Sequence, residues 1–338
     1  MVGLRASSLA QHYLKVMPSQ PPVLYVLDFN VGNKTDDPED PFASGRVAVG
    51  SAVPGSKLKT LIDHERMPDG IDVLLEGDGQ LIWTQMGHPD KNDGLVQSAS
   101  LNGKNVKTLF NNGEIHTPKQ IIVDRSNQKL YVCDREGMRV HRANLDGSEK
   151  EVLIKAGDWE NAEQQAVKML HCVGIAVDAK HGKFYWTQKG PSKGGQGRIF
   201  RANIDFPTGK TADTRDDIEL LFDNLPEPID LEINSETKTL YWTDRGEFPK
   251  GNTLNKADVS GVVGKGKYDI IATHFHEAIG LKVDEQSKHI YVSDIGGCVY
   301  RMDMEGNDRV KMFEDQGVYT GIALAHLGLE KAKALYGL

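Results

Sequence analysis

A four-residue pattern that recurs along the chain most constrains the possible fold. Its clearest copy is Tyr241-Trp242-Thr243-Asp244, and degraded copies begin at Tyr25, Ile82, Tyr131, Tyr185 and Tyr291. The intervals between the first residues of successive copies are 57, 49, 54, 56 and 50 residues. A period in this range, built from short alternating apolar runs, indicates the blades of a propeller.

Each repeat has the pattern of a unit of four strands. An inner strand such as residues 174–177 precedes the aromatic strand, and a third strand and an outer strand follow. The 35 Gly and 14 Pro residues fit many tight turns. We expect the Tyr and Trp of the pattern to pack between blades, and its Asp to hold a turn in place.

The two ends of the chain carry complementary incomplete repeats. The copy at Tyr25 has no inner strand before it, and the inner-strand pattern at 321–324 has no aromatic strand after it. The sequence therefore predicts an all-β, six-bladed β-propeller of four-stranded blades, closed by N- and C-terminal strands that share one blade. We expect residues 1–22 to form an arm or short helix, 23–326 the single propeller and 327–338 a C-terminal helix.

Composition limits the class of partner. The net charge of −8 is spread along the chain, which argues against nucleic acid or an anionic membrane as a partner. Cys133, Cys172 and Cys298 form neither a disulfide framework nor a metal-binding spacing, which favours a reducing compartment. Residues 1–20 lack the apolar core of a signal peptide, and no later segment has the length of a membrane span. We therefore expect a cytoplasmic protein.

One face of the predicted propeller concentrates loops from all blades around the channel, which suits a ligand pocket. Four of six inner strands carry Gly at one shared position, where Gln120 and Asp230 are the exceptions. These two residues are predicted to point polar groups at the channel mouth, and local hydrogen bonding to a neighbouring loop is the alternative. Two residues further along lie Asp72, Glu232 and Lys282, which we expect to be a paired ionic set with a structural role.

Histidines precede several of the inner strands. His116, His171 and His276, together with Asp230, are the predicted catalytic residues, because imidazoles around one opening can exchange protons or donate hydrogen bonds to a bound oxygen. A purely structural role is the alternative for each histidine. They have no recognisable metal-ligand spacing, so we predict no metal and no cofactor.

The remaining candidates are residues predicted to contact a small-molecule substrate. The long connection at 158–170 is predicted to be a helix over the mouth, with Asp158 as its N-cap. It would bring Trp159 above the channel. The complete substrate-contacting set is Arg66, Gln120, Trp159, Arg245, Phe248, His274 and Tyr319.

The six copies at consistent offsets resemble the YWTD-type propeller of the low-density-lipoprotein-receptor family, over roughly residues 23–326. The pattern departs from that family's consensus at Gln85, Gln188 and Cys133. In size, solitary architecture and YWTD repeats the chain also resembles the fungal hetero-Diels–Alder cyclases of tropolone sesquiterpenoid pathways. That resemblance implies a pocket in which a quinone-methide-like diene meets a polyene, with His or Arg donors holding the polar oxygen.

Three functions remain open at this point. A cofactor-independent cyclase of secondary metabolism is favoured, since no nucleophile stands out and such chemistry needs mainly positioning and polarisation of a reactive substrate. A protein-binding module acting through the same face is the second. A metal-dependent lactonase or related hydrolase is the third, with Glu227, Asp230 and Asp72 as the nearest candidate ligands.

Overall fold

The structure is a computed structural model that describes residues 20–30, 40, 42–88, 90–261 and 267–338. The predicted N-terminal arm at 1–22 lies almost entirely outside the described residues. In the part of the chain that is described, the strands form six four-stranded antiparallel sheets.

The strands follow one another in chain order, blade by blade. The first blade contains β1 (Val23–Asp28), β2 (Gly45–Ser51), β3 (Lys59–Glu65) and, as its inner strand, β24 (Tyr319–Ala325). The second contains β4 (Pro68–Leu74), β5 (Gln80–Gln85), β6 (Leu95–Ser100) and β7 (Lys107–Phe110). The third contains β8 (Pro118–Asp124), β9 (Lys129–Asp134), β10 (Arg139–Asn144) and β11 (Glu151–Lys155).

The last three blades repeat this order. The fourth contains β12 (Cys172–Asp178), β13 (Lys183–Gln188), β14 (Gly197–Asn203) and β15 (Glu219–Leu225). The fifth contains β16 (Pro228–Asn234), β17 (Thr239–Asp244), β18 (Thr253–Asp258) and β19 (Asp269–Ala272). The sixth contains β20 (Ala278–Asp284), β21 (His289–Asp294), β22 (Cys298–Asp303) and β23 (Val310–Glu314).

Short helices complete the described structure. They are α1 (Ala162–Gln165), α2 (Leu329–Tyr336) and two 3₁₀ turns at Lys168–Leu170 and Ala179–His181. In the described part of the chain, none of these helices has the length and apolar character needed to cross a membrane.

The blades form a closed ring. Each inner strand contacts the inner strand of the next blade in the order β24, β4, β8, β12, β16 and β20, and β20 contacts β24. β24 pairs antiparallel with β1. This pairing confirms the predicted six-bladed propeller and the shared blade that closes it.

The aromatic residues of the repeated pattern pack between neighbouring blades. Trp83, Trp186 and Trp242 are fully buried, each in a cluster that joins residues of two adjacent blades. Burying such large side chains contributes about 25 cal/mol for each Å² of apolar surface removed from water. The pattern therefore stabilises the ring at its blade interfaces.

The third residue of the pattern connects the inner strands of neighbouring blades. Thr243 Oγ1 accepts a hydrogen bond from the Asp230 N–H at 3.1 Å and donates one to the Ile279 carbonyl at 2.7 Å. Thr84 and Thr187 make the equivalent pair of bonds. A hydroxyl can do this because it donates and accepts at once.

The fourth residue of the pattern holds the loops at one end of the blades. Asp134 accepts hydrogen bonds from the backbone N–H groups of His116, Thr117 and Gly137. Asp244 does the same for Glu227. The carboxylate thus joins the loop before an inner strand to the turn after the aromatic strand, as the sequence predicted.

The C-terminal helix packs at the opposite end of the blades. The hydroxyl of Tyr336 on α2 lies 2.6 Å from the Tyr25 hydroxyl and donates to the Leu101 carbonyl at 3.0 Å. Ala332 of the same helix is buried among residues of the first two blades. The helix therefore does not cover the loops before the inner strands.

Candidate functional site

The register of the inner strands defines one ring of side chains at the channel mouth. The first residue of each inner strand lies opposite the last residue of the aromatic strand, as Pro68 does with Gln85 and Pro228 with Asp244. The second residues of the inner strands therefore share one height along the axis. They are Asp69, Lys119, Val173, Ile229, Ile279 and Thr320, which we call the mouth ring.

The mouth ring is divided into two halves of different polarity. Its apolar arc consists of Val173, Ile229 and Ile279, which pack in one buried cluster with Ile295 at the edge. Its polar arc consists of Asp69, Lys119 and Thr320, all of them buried. A ligand seated here would meet hydrocarbon on one side and charged groups on the other.

Lys119 is the central group of the polar arc. Its Nζ donates to Asp69 Oδ1 at 2.5 Å and lies 3.1 Å from Met86 Sδ. Gln120 Nε2 donates to Asp69 Oδ2 at 3.1 Å, so the carboxylate is held toward the lysine. Burial lowers the pKa of Lys119 to about 8; Asp69 opposes this change and Arg135 adds to it. The lysine side chain remains 11% exposed.

Three cations follow the aromatic strands of the third, fourth and fifth blades. Glu227 accepts from Lys189 Nζ at 2.9 Å and from Arg245 Nη2 at 2.8 Å. Burial raises the pKa of Glu227, but Arg245 and Lys189 outweigh it and hold that pKa below its usual value. Arg135 pairs with Glu136 at 2.6 Å. The mouth is thus bordered by fixed, paired charges.

The connection before the fourth blade is a shorter helix than predicted. The expectation of one helix from Asp158 to Leu170 is wrong. Asp158 Oδ1 accepts from the Glu160 N–H in a turn, and the side chain of Asn161 caps α1 instead. The helix ends at Gln165, and only a 3₁₀ turn follows. Asn161 takes the cap position because its side chain bonds the first free N–H groups of the helix.

Two of the predicted catalytic histidines hold this connection. His116 Nε2 lies 3.2 Å from Gln165 Nε2, and its Nδ1 lies 2.9 Å from Thr117 Oγ1. His171 Nε2 lies 2.9 Å from the Gln165 carbonyl, which can only accept, so this nitrogen carries the proton. The Trp159 ring packs edge-on against His116 at 5.7 Å. The structure therefore brings three predicted site residues together around Gln165.

A cavity of about 430 Å³ lies between α1 and the third blade. Among the residues that line it are Asp90, His116, Arg135, Gln165, Ala166 and Lys168. Its volume falls in the range of roughly 300–1,000 Å³ that is usual for small-molecule sites. Arg135 lines the cavity and its charge also acts on Lys119 of the mouth ring, which links the two.

Other predicted residues lie elsewhere on the same rim. His276 is exposed and belongs to the loop before β20, on the blade opposite the one that His116 precedes. His274 is also exposed, and its ring lies 5.5 Å from that of Phe248, which is 63% exposed. The predicted ring of three histidines is therefore divided, and His276 does not join the other two.

Two predicted substrate contacts have other environments. Arg66 is half-exposed, and its Nε pairs with Asp40 at 2.6 Å. Tyr319 begins β24 and is fully buried in the cluster that contains Tyr291 and Ile322. It lies within the strand rather than in the loop before it, so its side chain offers no surface to a ligand.

Asp230 makes local hydrogen bonds, as the alternative to a catalytic role predicted, but its partners lie in inner strands and not in a neighbouring loop. Its two carboxyl oxygens accept from the N–H groups of Leu231 and Leu281, each at 2.9 Å, which joins the fifth blade to the sixth. Burial raises its pKa to about 8; Lys282 opposes the rise and Glu232 adds to it. Asp230 therefore carries a proton across much of the neutral range.

The deeper ionic set is paired, as the sequence predicted. Lys282 Nζ donates to Glu232 Oε1 at 2.5 Å. Asp72 accepts from the Val123 N–H at 2.8 Å and from Arg125 Nη2 at 3.2 Å. Burial lowers the pKa of Lys282, but Glu232 and Asp72 outweigh it, so the net change is upward. This lysine is therefore a permanent cation.

Among the described residues, no group of three or more His, Cys, Asp or Glu side chains could hold a metal ion. The carboxylates proposed as ligands have separate partners. Glu227 binds two cations, and Asp230 and Asp72 accept from backbone amides. These three residues therefore do not form the axial ligand set of a metal-dependent hydrolase.

Reasoning from the sequence missed Asp69 and Lys119. It assigned the mouth to the Gly position one residue further along the inner strand, which assumes regular alternation. Each inner strand instead has a register shift after its first residue, for example between Pro68 and Ile71. An irregularity of this kind re-aims a side chain. A polar residue directly after the strand-opening proline, as in Pro68-Asp69 and Pro118-Lys119, was the available signal.

Solved structures show what fold the chain shares. The structure superposes on a chain of a nidogen–laminin complex with a TM-score of 0.64 at 17% identity, covering 90% of this chain and 98% of that one. TolB from Acinetobacter baumannii gives a TM-score of 0.58 at 11% identity, covering 94% of this chain and 70% of that one. At such identities the likeness concerns the fold alone.

Sequence relatives are much closer. No family model matches the chain. It is 42% identical over 316 residues to the 3-hydroxyacyl-CoA dehydrogenase-like protein LAM1 of Cochliobolus heterostrophus, covering 91% of this chain but only 65% of that protein. It is also 42% identical over 311 residues to the low-density lipoprotein receptor-related protein 1 of Pyricularia oryzae, covering 89% of this chain and 97% of that protein. The chain is a six-bladed YWTD-type β-propeller and belongs to the family of that Pyricularia oryzae protein.

Proposed function

We propose that the chain is a small-molecule enzyme of secondary metabolism, a cofactor-independent cyclase of the hetero-Diels–Alder type. Its substrates are an oxygen-bearing, quinone-methide-like diene and a polyene, bound at the mouth ring. One observation carries the proposal: the mouth ring has an apolar arc and a polar arc that meet at one opening. The Cochliobolus heterostrophus and Pyricularia oryzae relatives both come from fungi, which fits the resemblance to fungal cyclases.

The polar arc polarises the heterodiene. The Lys119 ammonium donates a hydrogen bond to the oxygen of the heterodiene, where negative charge grows as the new bonds form. Because Asp69 already holds this side chain in place and is itself held by Gln120, little reorganisation accompanies the reaction. Removing one preorganised donor of this kind costs roughly 10²–10³ in turnover.

The apolar arc supplies positioning. Ile229 and Ile279 keep a small exposed surface at the opening, backed by the fully buried Val173, and the polyene packs against this hydrocarbon next to the held diene. Orienting two reactants can lower a barrier by about 7–11 kcal/mol, compared with about 3–4 kcal/mol for one hydrogen-bond donor. We therefore expect positioning to supply the larger share of the rate enhancement.

A trapping reaction tests this function. A tropolone-type quinone methide is generated in situ from a stable precursor, in the presence of a cyclic polyene, with and without purified protein. We expect faster formation of the adduct and a single stereoisomer, measured by chiral chromatography and mass spectrometry. A racemic adduct formed at the same rate as in buffer would overturn the proposal.

Variants connect the reaction to the site. Lys119→Met removes the donor at similar side-chain length, and we expect turnover to fall about 100- to 1,000-fold. Lys193→Met is the matched control, because Lys193 borders the same face but pairs with Glu247 on the surface. Equal activity of the two variants would place the reaction away from the mouth ring.

Protein binding through the same rim is the second candidate. The observation that favours it is Phe248, a large aromatic side chain that is 63% exposed. Phe248→Ala separates the two functions. A loss of turnover would assign Phe248 to the substrate site, as the sequence predicted, whereas unchanged turnover with loss of a purified binding partner would favour the protein-binding role.

A cytoplasmic location remains part of this proposal. Cys133, Cys172 and Cys298 are all free and buried, which supports the predicted reducing compartment. Measuring the distribution of the tagged protein between cytosolic and secreted fractions tests this location, and recovery mainly from the medium would contradict it.

A further inference from the structure

We propose that Lys119 is also a covalent site, at which its amine condenses with the aldehyde or ketone group of a ligand to form an imine. The inference rests on the proposed function only for seating a small ligand at the mouth ring, and it requires no cyclisation. It concerns carbonyl compounds that carry an apolar group, since the apolar arc borders the same opening.

The first support is the geometry of the amine and a neighbouring acid. Lys119 Nζ lies 2.5 Å from Asp69 Oδ1, and the Asp69 side chain is 2% exposed. Gln120 donates to the other carboxyl oxygen and fixes its direction. Imine formation needs a base that takes a proton from nitrogen and an acid that returns it to oxygen. Asp69 is positioned to do both.

The second support is the charge around the amine. Burial lowers the pKa of Lys119 to about 8, with Arg135 and Arg245 adding to the decrease and Asp69 opposing it. At pH 7 roughly a tenth of the amine is then neutral, compared with less than about 0.1% for an ordinary lysine. The neutral amine is the nucleophile.

Two other largely buried lysines lack this combination. Lys282 lies against Glu232, and the negative charges around it keep it protonated. Lys189 shares Glu227 with Arg245 and with the backbone N–H of Lys193. A carboxylate that already accepts from these donors is a poor proton carrier. The Asp69 carboxylate, by contrast, accepts one hydrogen bond from Lys119 and one from the neutral amide of Gln120.

The condensation proceeds through a carbinolamine. The Lys119 ammonium passes a proton to Asp69, and the neutral nitrogen forms a bond to the carbonyl carbon. Asp69 returns the proton to the oxygen, which yields a carbinolamine. Asp69 then takes a second proton from nitrogen and delivers it to the hydroxyl, the carbon–oxygen bond breaks, and water leaves. Ammonium and carbonyl thus become protonated imine and water, with no oxidant or reductant.

Reductive trapping on the full chain tests the inference. Cinnamaldehyde is the probe, sodium cyanoborohydride reduces any imine to a stable amine, and peptide mass spectrometry locates the modified lysines at pH 7. We expect Lys119 to be labelled about tenfold faster than Lys288, whose side chain is 69% exposed. Labelling of Lys119 no faster than of Lys288 would overturn the inference, and this measurement needs no variant.

Two variants sharpen the test. Lys119→Arg keeps the cation but cannot form an imine, so labelling at this position disappears. Asp69→Asn keeps the shape but cannot carry a proton, so we expect labelling of Lys119 to slow about tenfold or more. Circular dichroism and thermal melts confirm that each variant is folded. Unchanged labelling in a folded Asp69→Asn variant would remove Asp69 from the step.

The failure of this inference can be told from the failure of the proposed function. If trapping fails while the protein still yields one stereoisomer of the cycloadduct, only the imine is wrong. If Lys119 is labelled but the cycloaddition is no faster than in buffer, the cyclase proposal fails and the covalent site stands.

Discussion

Two sets of buried charges lie in the axial channel, and they differ in how completely each charge is paired. In the deeper set, Lys282 contacts Glu232 and interacts with Asp72, while Arg125 also pairs with Asp72. At the mouth ring, Lys119 has a single carboxylate partner. The deeper lysine has a raised pKa, and that of the mouth lysine falls to about 8.

This difference separates a structural role from a chemical one. Buried ions are stable only when their partners satisfy them fully, and a fully satisfied ion does not exchange protons near neutral pH. A buried amine with one carboxylate partner and a lowered pKa can donate to a ligand or lose its proton. The deeper set connects the blades, and the mouth ring is available for a ligand.

The largest expected effect is on stability at the deeper set. Lys282→Met leaves Glu232 buried without its cation, which costs about 3–5 kcal/mol in the free energy of unfolding. Lys119→Met should cost less, since Gln120 still donates to Asp69. Urea denaturation of both variants measures the difference. A larger loss for Lys119→Met would reverse the comparison.

The pH dependence of stability gives the next effect. Asp230 has a pKa of about 8 in the folded protein, above the ordinary value of 3.8. Its protonated form favours folding, so this contribution is complete below pH 3.8 and is lost as the pH rises through about 8. In the wild-type protein, ionisation of Asp230 should lower the free energy of unfolding by on the order of a few kcal/mol between pH 4 and 8. We expect this decrease to be absent in Asp230→Asn.

Thermal melts at several pH values measure this contribution. The wild-type protein also contains carboxyls whose pKa is lowered, such as Asp134, and these favour folding at higher pH. Because both proteins contain these carboxyls, their contributions cancel when the stability of Asp230→Asn is subtracted from that of the wild type. Parallel pH profiles for the two proteins would contradict the raised pKa.

A smaller effect is expected at the inner-strand hydroxyls. Thr243→Val keeps the shape but leaves the Ile279 carbonyl and the Asp230 N–H without their partner. An unsatisfied buried group costs about 1–3 kcal/mol. Equilibrium unfolding measures the loss, with Thr237→Val on the exposed turn of the same blade as control. Equal stability of the two variants would remove Thr243 from the set of residues that hold the ring together.

The smallest effect is expected at the cavity beside the mouth. Gln165→Ala removes the side chain that contacts His116 and leaves the carbonyl that His171 bonds. We expect the free energy of unfolding to fall by about 0.5–1.5 kcal/mol or less, since the contact between Gln165 and His116 is only partly buried. A selective shift of Trp159 fluorescence is the readout, because Trp83, Trp186 and Trp242 are fully buried. An unchanged spectrum would contradict the role of Gln165 in holding the connection that contains Trp159.

The candidate site could be predicted from the sequence only in part. The loops around the mouth, the grouping of His116, His171 and Trp159 on one face, and the pairing of Lys282 with Glu232 follow from repeat offsets. A prediction from repeat offsets assumes that residues at equivalent positions of different blades have the same surroundings. His276 occupies an equivalent position but lies exposed on the opposite blade, where the described loop before β20, residues 273–277, contains no helix to cover it.

The sequence by itself determined the ring. Six copies of one pattern specify repeated hydrophobic interfaces and hydroxyl bridges, and both depend on local residue type and spacing. Only the tertiary structure decided which side chains meet at the channel mouth. A register shift near the start of each inner strand turns Asp69 and Lys119 toward each other from blades that lie 50 residues apart in the chain. A pairing of that kind depends on how two irregular strands pack side by side, and no single repeat contains that information.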